Sequence, residues 1–198
     1  MKIPGAWTLA SVAVLAWLAI SRPWTIRPIA EESHGPFDAR EYVSKVWDAR
    51  ALPLLKTRTV PFAAFKSQST NNATPVSLDG VVVEVNTTSR VGTAAIDIAP
   101  ADGKPDALLM IGPVIRGTAL RDALDFIQFT DFTNQIQFAD VANALNDRVL
   151  ATALAHVDPA GLKGKHVQVL GIAWRQAGGA PDALPFVVPV QLSMGDQP

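Results

Sequence analysis

The sequence predicts an α+β protein: a small five-stranded β-barrel carrying helices, preceded by a single apolar N-terminal helix. Three observations predict it. An uncharged run of 18 residues, Ile3–Ile20, opens the chain; five later segments alternate apolar and polar residues; and a stretch of helical period separates the third of these from the fourth. The chain has 198 residues, a length for one domain with a tail. At 48% hydrophobic residues it has a core to pack, and 18% charged residues make it apolar for a soluble domain.

The N-terminus accounts for that apolar balance. Residues 1–30 carry Lys2, Arg22 and Arg27 and no acid, whereas the remaining 168 residues hold 14 basic and 18 acidic groups, net −4. As a helix, Ile3–Ile20 spans about 27 Å at ~1.5 Å per residue, close to the ~30 Å of a hydrocarbon core. Trp7, Trp17 and Trp24 lie towards its ends, where indoles favour a membrane interface. The segment 1–21 reads as a secretory signal cut after Ala19-Ile20-Ser21 or as a retained signal anchor, and Arg22-Pro23 just beyond the cleavage site favours the anchor. A buried N-terminal helix is the third alternative, disfavoured because no polar face relieves the run. Residues 22–36, with Pro23, Pro28, Gly35 and Pro36, read as a linker, and 37–198 as the folded domain.

The domain opens with helix-start signals. Asp38 is an N-cap with Glu41 three residues on, a capping box, and Phe37 and Tyr42 form a hydrophobic staple. The apolar face runs through Val43, Val46, Trp47 and Ala51, and Pro53 stops or kinks a helix placed over 37–55. Residues 66–75 are a polar loop. Period two then sets in over 76–87, with Asp79-Gly80 as a bulge or kink, and continues over 94–99 and 107–111. It returns over 166–174 and 186–192, so that the barrel strands occupy about 76–111 and 165–193. Between the two groups lies a helical insert, 117–157. Thr118 caps a helix through Leu120, Leu124 and Ile127, and Thr130 or Thr133 caps a second through Ile136, Phe138, Val141, Leu145 and Val149. Three strands, helix, two strands is the order of a five-stranded Greek-key barrel of the OB type.

Several chemistries lack their residues. The chain has no cysteine, which excludes disulfides, thiolate metal sites and thiol catalysis. Gly112-Pro-Val-Ile-Arg-Gly117-Thr118 has P-loop spacing but no lysine, and Pro113 removes one of the cradling N–H groups. His34, His156 and His166 stand far apart without acids at ligand spacing, so neither a metal nor another cofactor is expected. Nucleic acid is not an expected partner: the barrel strands offer Trp174 and Phe186 for stacking, but net −4 gives no positive groove.

The densest unusual stretch is Arg116–Asn146, holding four of the eight phenylalanines. Interleaved with them are the candidate binding residues Arg116, Arg121, Asp122, Asp131, Asn134 and Gln135. They fit a helix pair tied at its turn, or a polar ligand surface beside an aromatic floor. Arg121 and Asp131 are expected to be partly buried and bonded to backbone at that turn, where helix ends leave unpaired groups.

Gly112-Pro-Val-Ile-Arg-Gly-Thr-Ala-Leu-Arg-Asp122, then Phe126-Ile-Gln-Phe-Thr-Asp-Phe-Thr-Asn-Gln135 and Phe138-Ala139, resembles the predicted periplasmic lipoprotein family, domain of unknown function 2291. Phe37-Asp38, Tyr42-Val43 and Trp47 resemble its opening helix, and Leu162–Lys165 before an apolar strand its closing part. The resemblance implies an OB-like barrel with a helical part and a bacterial envelope protein encoded near sugar ABC-transporter genes. It supplies no catalytic residues. Ser21 stands where the family's lipid-bearing cysteine would be, so attachment falls to the N-terminal helix. The expectation is an inner-membrane protein with a periplasmic binding or accessory domain, non-enzymatic, whose partners are the membrane and sugar ABC-transporter components. The alternative is an envelope glycan hydrolase using Asp122 and Asp131 as acid and base.

Overall fold

The computed structural model describes residues 37–68, 72–180 and 182–195. The expected signal or anchor, 1–21, and the linker, 22–36, lie outside the described residues. Among the described residues no helix is long and apolar enough to cross a membrane.

Helix α1 (Ala39–Val46) starts where its cap demands. The Asp38 carboxylate accepts the N–H groups of Arg40 and Glu41 at 2.8 and 3.1 Å. Glu41 does not complete the expected capping box; its carboxylate meets Lys45 at 2.7 Å instead. Phe37 and Tyr42 do approach, with ring centroids 6.1 Å apart. The helix does not stop at Pro53. A π-helical turn, Trp47–Ala51, precedes α2 (Leu52–Arg58), with the Leu52 N–H donating to the Trp47 carbonyl. One extra residue in that turn lets proline, which has no N–H, enter at the start of a new helical segment without a lost bond. A two-residue strand β1 (Val60–Pro61) and a short helix α3 (Phe62–Lys66) follow, neither signalled by so brief an apolar run.

The barrel strands are β2 (Thr74–Asn86), β3 (Thr93–Ile98), β4 (Ala107–Met110), β5 (His166–Trp174) and β6 (Phe186–Gly195). The sheet order is β1-β2-β3-β4-β6-β5, and β5 pairs back onto β2, closing five strands into a barrel. β2 achieves this by serving two partners: β5 along Thr74–Val81 and β3 along Gly80–Asn86. The bulge expected at Asp79-Gly80 falls instead between Val82 and Glu84. Gly80 has a different task, since a Cβ there would stand 2.3 Å from the Asp97 carbonyl oxygen. The β4–β6 pairing is parallel and two residues long, Leu108 with Phe186 and Leu109 with Val187.

The helical insert departs from expectation in one half. Helix α4 (Ala119–Asp122) is a single turn, followed by a 3-10 turn at Phe129–Asp131; only then comes the long α5 (Gln135–Thr152). Gln128 and Asp131 cap the 3-10 turn reciprocally. Neither Thr130 nor Thr133 caps α5. Asn134 does, its side chain accepting the Gln137 N–H at 3.0 Å while the Gln137 side chain accepts the Thr133 N–H. Two apolar clusters result. Val76, Leu78, Val82, Ile96, Leu109 and Val169 belong to the barrel interior; Trp47, Leu120, Leu124, Leu145 and Val149 join Ile172 and Val188 between helices and barrel.

Candidate functional site

The glycine-flanked loop after β4 is built by packing. Gly112 donates its N–H to the Val91 carbonyl at 2.8 Å, and a Cβ there would lie 2.1 Å from that same oxygen. Gly117 turns the chain into α4 at φ +96°, a left-handed backbone that favours glycine. The buried Asn146 of α5 holds the loop from behind, its Nδ2 donating to the carbonyl of Gly117 at 3.0 Å and of Ile115 at 3.5 Å. The P-loop spacing is thus a strand-to-helix turn.

This turn presents Thr118 and Asp122 side by side. The Thr118 hydroxyl donates to Asp122 Oδ2 at 2.6 Å, and Arg121 Nε and Nη2 donate to Asp122 Oδ1 at 3.0 and 2.7 Å. Arg121 reaches the other way as well. Nη1 donates to the Phe138 carbonyl at 3.3 Å, and the guanidinium lies 3.8 Å over the Phe138 ring. Its side chain is only 12% exposed, whereas Asp122 is 47% exposed. Arg121 is therefore a clasp between α4 and α5, as a partly buried, backbone-bonded residue; the carbonyl it finds belongs to α5 and not to the end of the first helix. Asp131 accepts the Gln128 N–H at 3.0 Å and stays exposed.

The six candidate residues therefore do not converge. Asp122 lines a cleft of about 700 Å³ formed by the end of α2, the start of β2, the α4 turn and the end of β5. Arg121 supports it from behind. Asn134 caps α5, Gln135 is exposed at its first residue, and Arg116 is exposed in the loop before α4. Asp131 does not line the cleft that holds Asp122, so the two carboxylates do not face one reacting bond as acid and base must.

Sequence reasoning missed the cleft's other walls. Arg58, at the end of α2, meets Asp125 at 2.6 Å, both more than two-fifths exposed. Opposite them is Trp174, the last residue of β5, stacked on Phe186 with centroids 5.7 Å apart and planes at 27°. One arginine and two carboxylates thus line the same cleft as a tryptophan. That set can hydrogen-bond several hydroxyl groups and cover an apolar ring face. Arg58 and Trp174 are separated from Asp122 by 64 and 52 positions, so no local motif could have united them.

A second cleft, about 1000 Å³, lies where α3 and the 98–106 loop overhang β2, β5 and β6. Four of its polar groups are paired: Lys66 Nζ meets Asp106 at 2.5 Å, and Asp79, which also meets His166 Nε2 at 2.6 Å, accepts from Gln168 Nε2 at 2.9 Å. Burial alone would raise the Asp106 carboxyl, but hydrogen bonds from Lys66 and the Ile98 N–H, with the lysine charge, hold it below the ordinary carboxylate value. Near α1, burial first and the Asp131 carboxylate second push the Tyr42 phenol up. Among the described residues no group of three or more His, Asp or Glu is gathered as a metal site requires.

Comparison with known proteins adds two findings. A family model described as predicted periplasmic lipoprotein, domain of unknown function 2291, matches residues 63–193. The crystal structure of an OB-fold protein from Thermotoga maritima is similar with a TM-score of 0.52 at 17% identity, covering 81% of this chain and 100% of that one. No curated protein matches the sequence.

Proposed function

Since the chain belongs to the predicted periplasmic lipoprotein family, domain of unknown function 2291, we propose that it is a membrane-held binding module of the bacterial envelope that takes a small polyhydroxylated ligand, a sugar, in the Trp174 cleft. It acts by binding and not by turnover, at the inner membrane, as an accessory to a sugar ABC-transport system. One observation carries this reading: Arg58, Asp122 and Asp125 face the same cleft as Trp174. Carboxylates and a guanidinium suit hydroxyl pairs, and an indole suits the C–H face of a pyranose. Asp122 is already engaged by Thr118 and Arg121, which favours a fixed acceptor over a proton-transfer group. The apolar Ile3–Ile20 run supports membrane attachment, and the gene neighbourhood implied by the family resemblance supports the transport partner.

Titration of the full chain in detergent with mono- and disaccharides, read by calorimetry and indole fluorescence, tests the reading. Saturable binding is expected, weakened tenfold or more by Trp174→Ala and by the milder, surface-exposed change Asp125→Asn; tenfold is about 1.4 kcal/mol. Binding that survives both variants, or no binding to any sugar, refutes the cleft. Purification of the tagged chain from its native membranes is expected to bring down the permease or ATPase subunit of a sugar transporter, and recovery without either refutes the accessory role.

A further inference from the structure

We propose that the sugar held in the Trp174 cleft is an amino sugar carrying a protonated primary amine; this rests on the sugar reading of that cleft and adds which class of sugar it takes. The count of hydrogen-bond donors in the lining carries the inference. Among the described residues two hydroxyls line the cleft, and each has spent its one hydrogen. Thr118 Oγ1 donates to Asp122 Oδ2 at 2.6 Å, and Thr74 Oγ1 donates to the Asn72 carbonyl at 3.1 Å. Both oxygens are left with lone pairs, which only accept. Asp122 and Asp125 are the carboxylates of the lining, and a carboxylate has nothing to donate.

The α4 side of the cleft is formed by Gly117, Thr118, Ala119, Asp122, Ala123 and Asp125. Its side chains therefore offer acceptors and no donor. They keep room for a ligand: Asp122 is 47% exposed, and Asp125 meets Arg58 through Oδ2 and is 58% exposed. A sugar hydroxyl placed there brings one hydrogen and turns its own lone pairs towards other acceptors. An ammonium brings three hydrogens and no lone pair, so it matches the wall. A ligand carboxylate has only acceptors to present and is rejected. Charge agrees with this. The lining sets Asp122 and Asp125 against Arg58, one negative charge in excess. Arg121 balances the wider cluster from outside the lining, and all three of its side-chain nitrogens are engaged by Asp122 and the Phe138 carbonyl. Ring hydroxyls, which accept as well as donate, suit the other side of the cleft, where the Asn72 carboxamide and the Trp174 indole are donor groups.

Calorimetric titration of the full chain in detergent tests this, at about pH 6, where a primary amine is protonated and a uronate ionised. The probes are glucosamine and galactosamine, each beside its parent hexose, its N-acetyl form and its uronate. At least one free hexosamine is expected to bind about tenfold tighter than its parent hexose, the difference between a charge-assisted and a neutral hydrogen bond. The N-acetyl form, which has lost the charge, is expected to bind no better than the hexose, and the uronate more weakly still. Asp122→Asn puts a donor on the wall and is expected to bring the ratio of hexosamine to hexose affinity towards one. Thr118→Val, which keeps the side chain's shape, is expected to lower it several-fold, so the ratio is still read if Asp122→Asn melts early. Equal affinity for hexose and hexosamine, tighter uronate binding, or a ratio unchanged in both variants overturns this inference and leaves the sugar cleft standing. Binding of some other saccharide but of neither hexosamine overturns it as well. No binding to any sugar refutes the cleft, and this inference with it.

Discussion

Replacing Arg121 by alanine separates a structural clasp from a ligand contact. The side chain loses a charge-assisted bond to the Phe138 carbonyl, a cation–π contact at 3.8 Å and its pairing with Asp122. A hydrogen bond from a charged donor contributes about 1.5–3 kcal/mol. The ring contact adds roughly 0.5–1 kcal/mol at a partly solvated site. The Asp122 pairing adds about 0–1 kcal/mol, because that carboxylate is half exposed. These overlap, so the expected loss is about 3 kcal/mol, or roughly 6–12 °C in melting temperature at ~2–4 °C per kcal/mol for a domain of this size. Thermal melting by circular dichroism measures it, on the full chain in detergent. Arg121→Lys is expected to recover less than half, since one ammonium cannot meet the carboxylate, the carbonyl and the ring together. A loss below about 1 kcal/mol refutes the clasp. If sugar binding is abolished while melting is unchanged, Arg121 belongs to the ligand instead.

Further outcomes follow from other contacts. Asn146→Leu leaves the carbonyls of Gly117 and Ile115 without their donor and is expected to cost about 2–3 kcal/mol, with faster amide exchange confined first to residues 112–118. Gly112→Ala drives a Cβ into the Val91 carbonyl and is expected to cost about 3 kcal/mol in chemical denaturation, unlike Gly103→Ala, where the added carbon meets nothing and only the backbone resists. Asp106 has a lowered folded-state pKa, so the stability it contributes is full above the unfolded carboxylate value, about 3.9, and is lost as pH falls through the folded value. Lys66→Met is therefore expected to flatten that acid limb of a pH–stability curve measured between about pH 5 and 2, and an unchanged limb refutes the role of the pair.

The strands were legible from their short apolar runs, alternating most clearly in β2: β5 has the expected bounds, β2–β4 differ by at most two residues at either end, and β6 runs three residues further. The single helix through Leu120, Leu124 and Ile127 was not, although all three side chains are buried as its spacing requires. Spacing reports which residues face the core. It does not report that the chain leaves the helix after Asp122 and continues through i→i+3 turns at Leu124 and Ile127 to the 3-10 turn that Gln128 and Asp131 close. Pro53 does not stop the helix for a related reason: a π-helical turn shifts the register so that proline begins a segment. Of the cleft, only the α4 side was visible. Asp122 lies in a dense motif, but Arg58 and Trp174 are ordinary helix and strand ends until the barrel brings them across from it.

The two-residue seam between β4 and β6 has a consequence for when this chain becomes a barrel. Both the seam and the β5–β6 hairpin wait for the segment from Phe186 onward, and the first half of β2, which β1 meets only at Val76 and Ser77, waits for β5, about 90 positions away, to pair its other edge. Pairings so distant along the chain form late and together. Through most of its synthesis the polypeptide therefore has no closed shell to resist being drawn out. A chain ending before Phe186 is expected to remain open to protease digestion along β4 and β5, while the complete chain shields both.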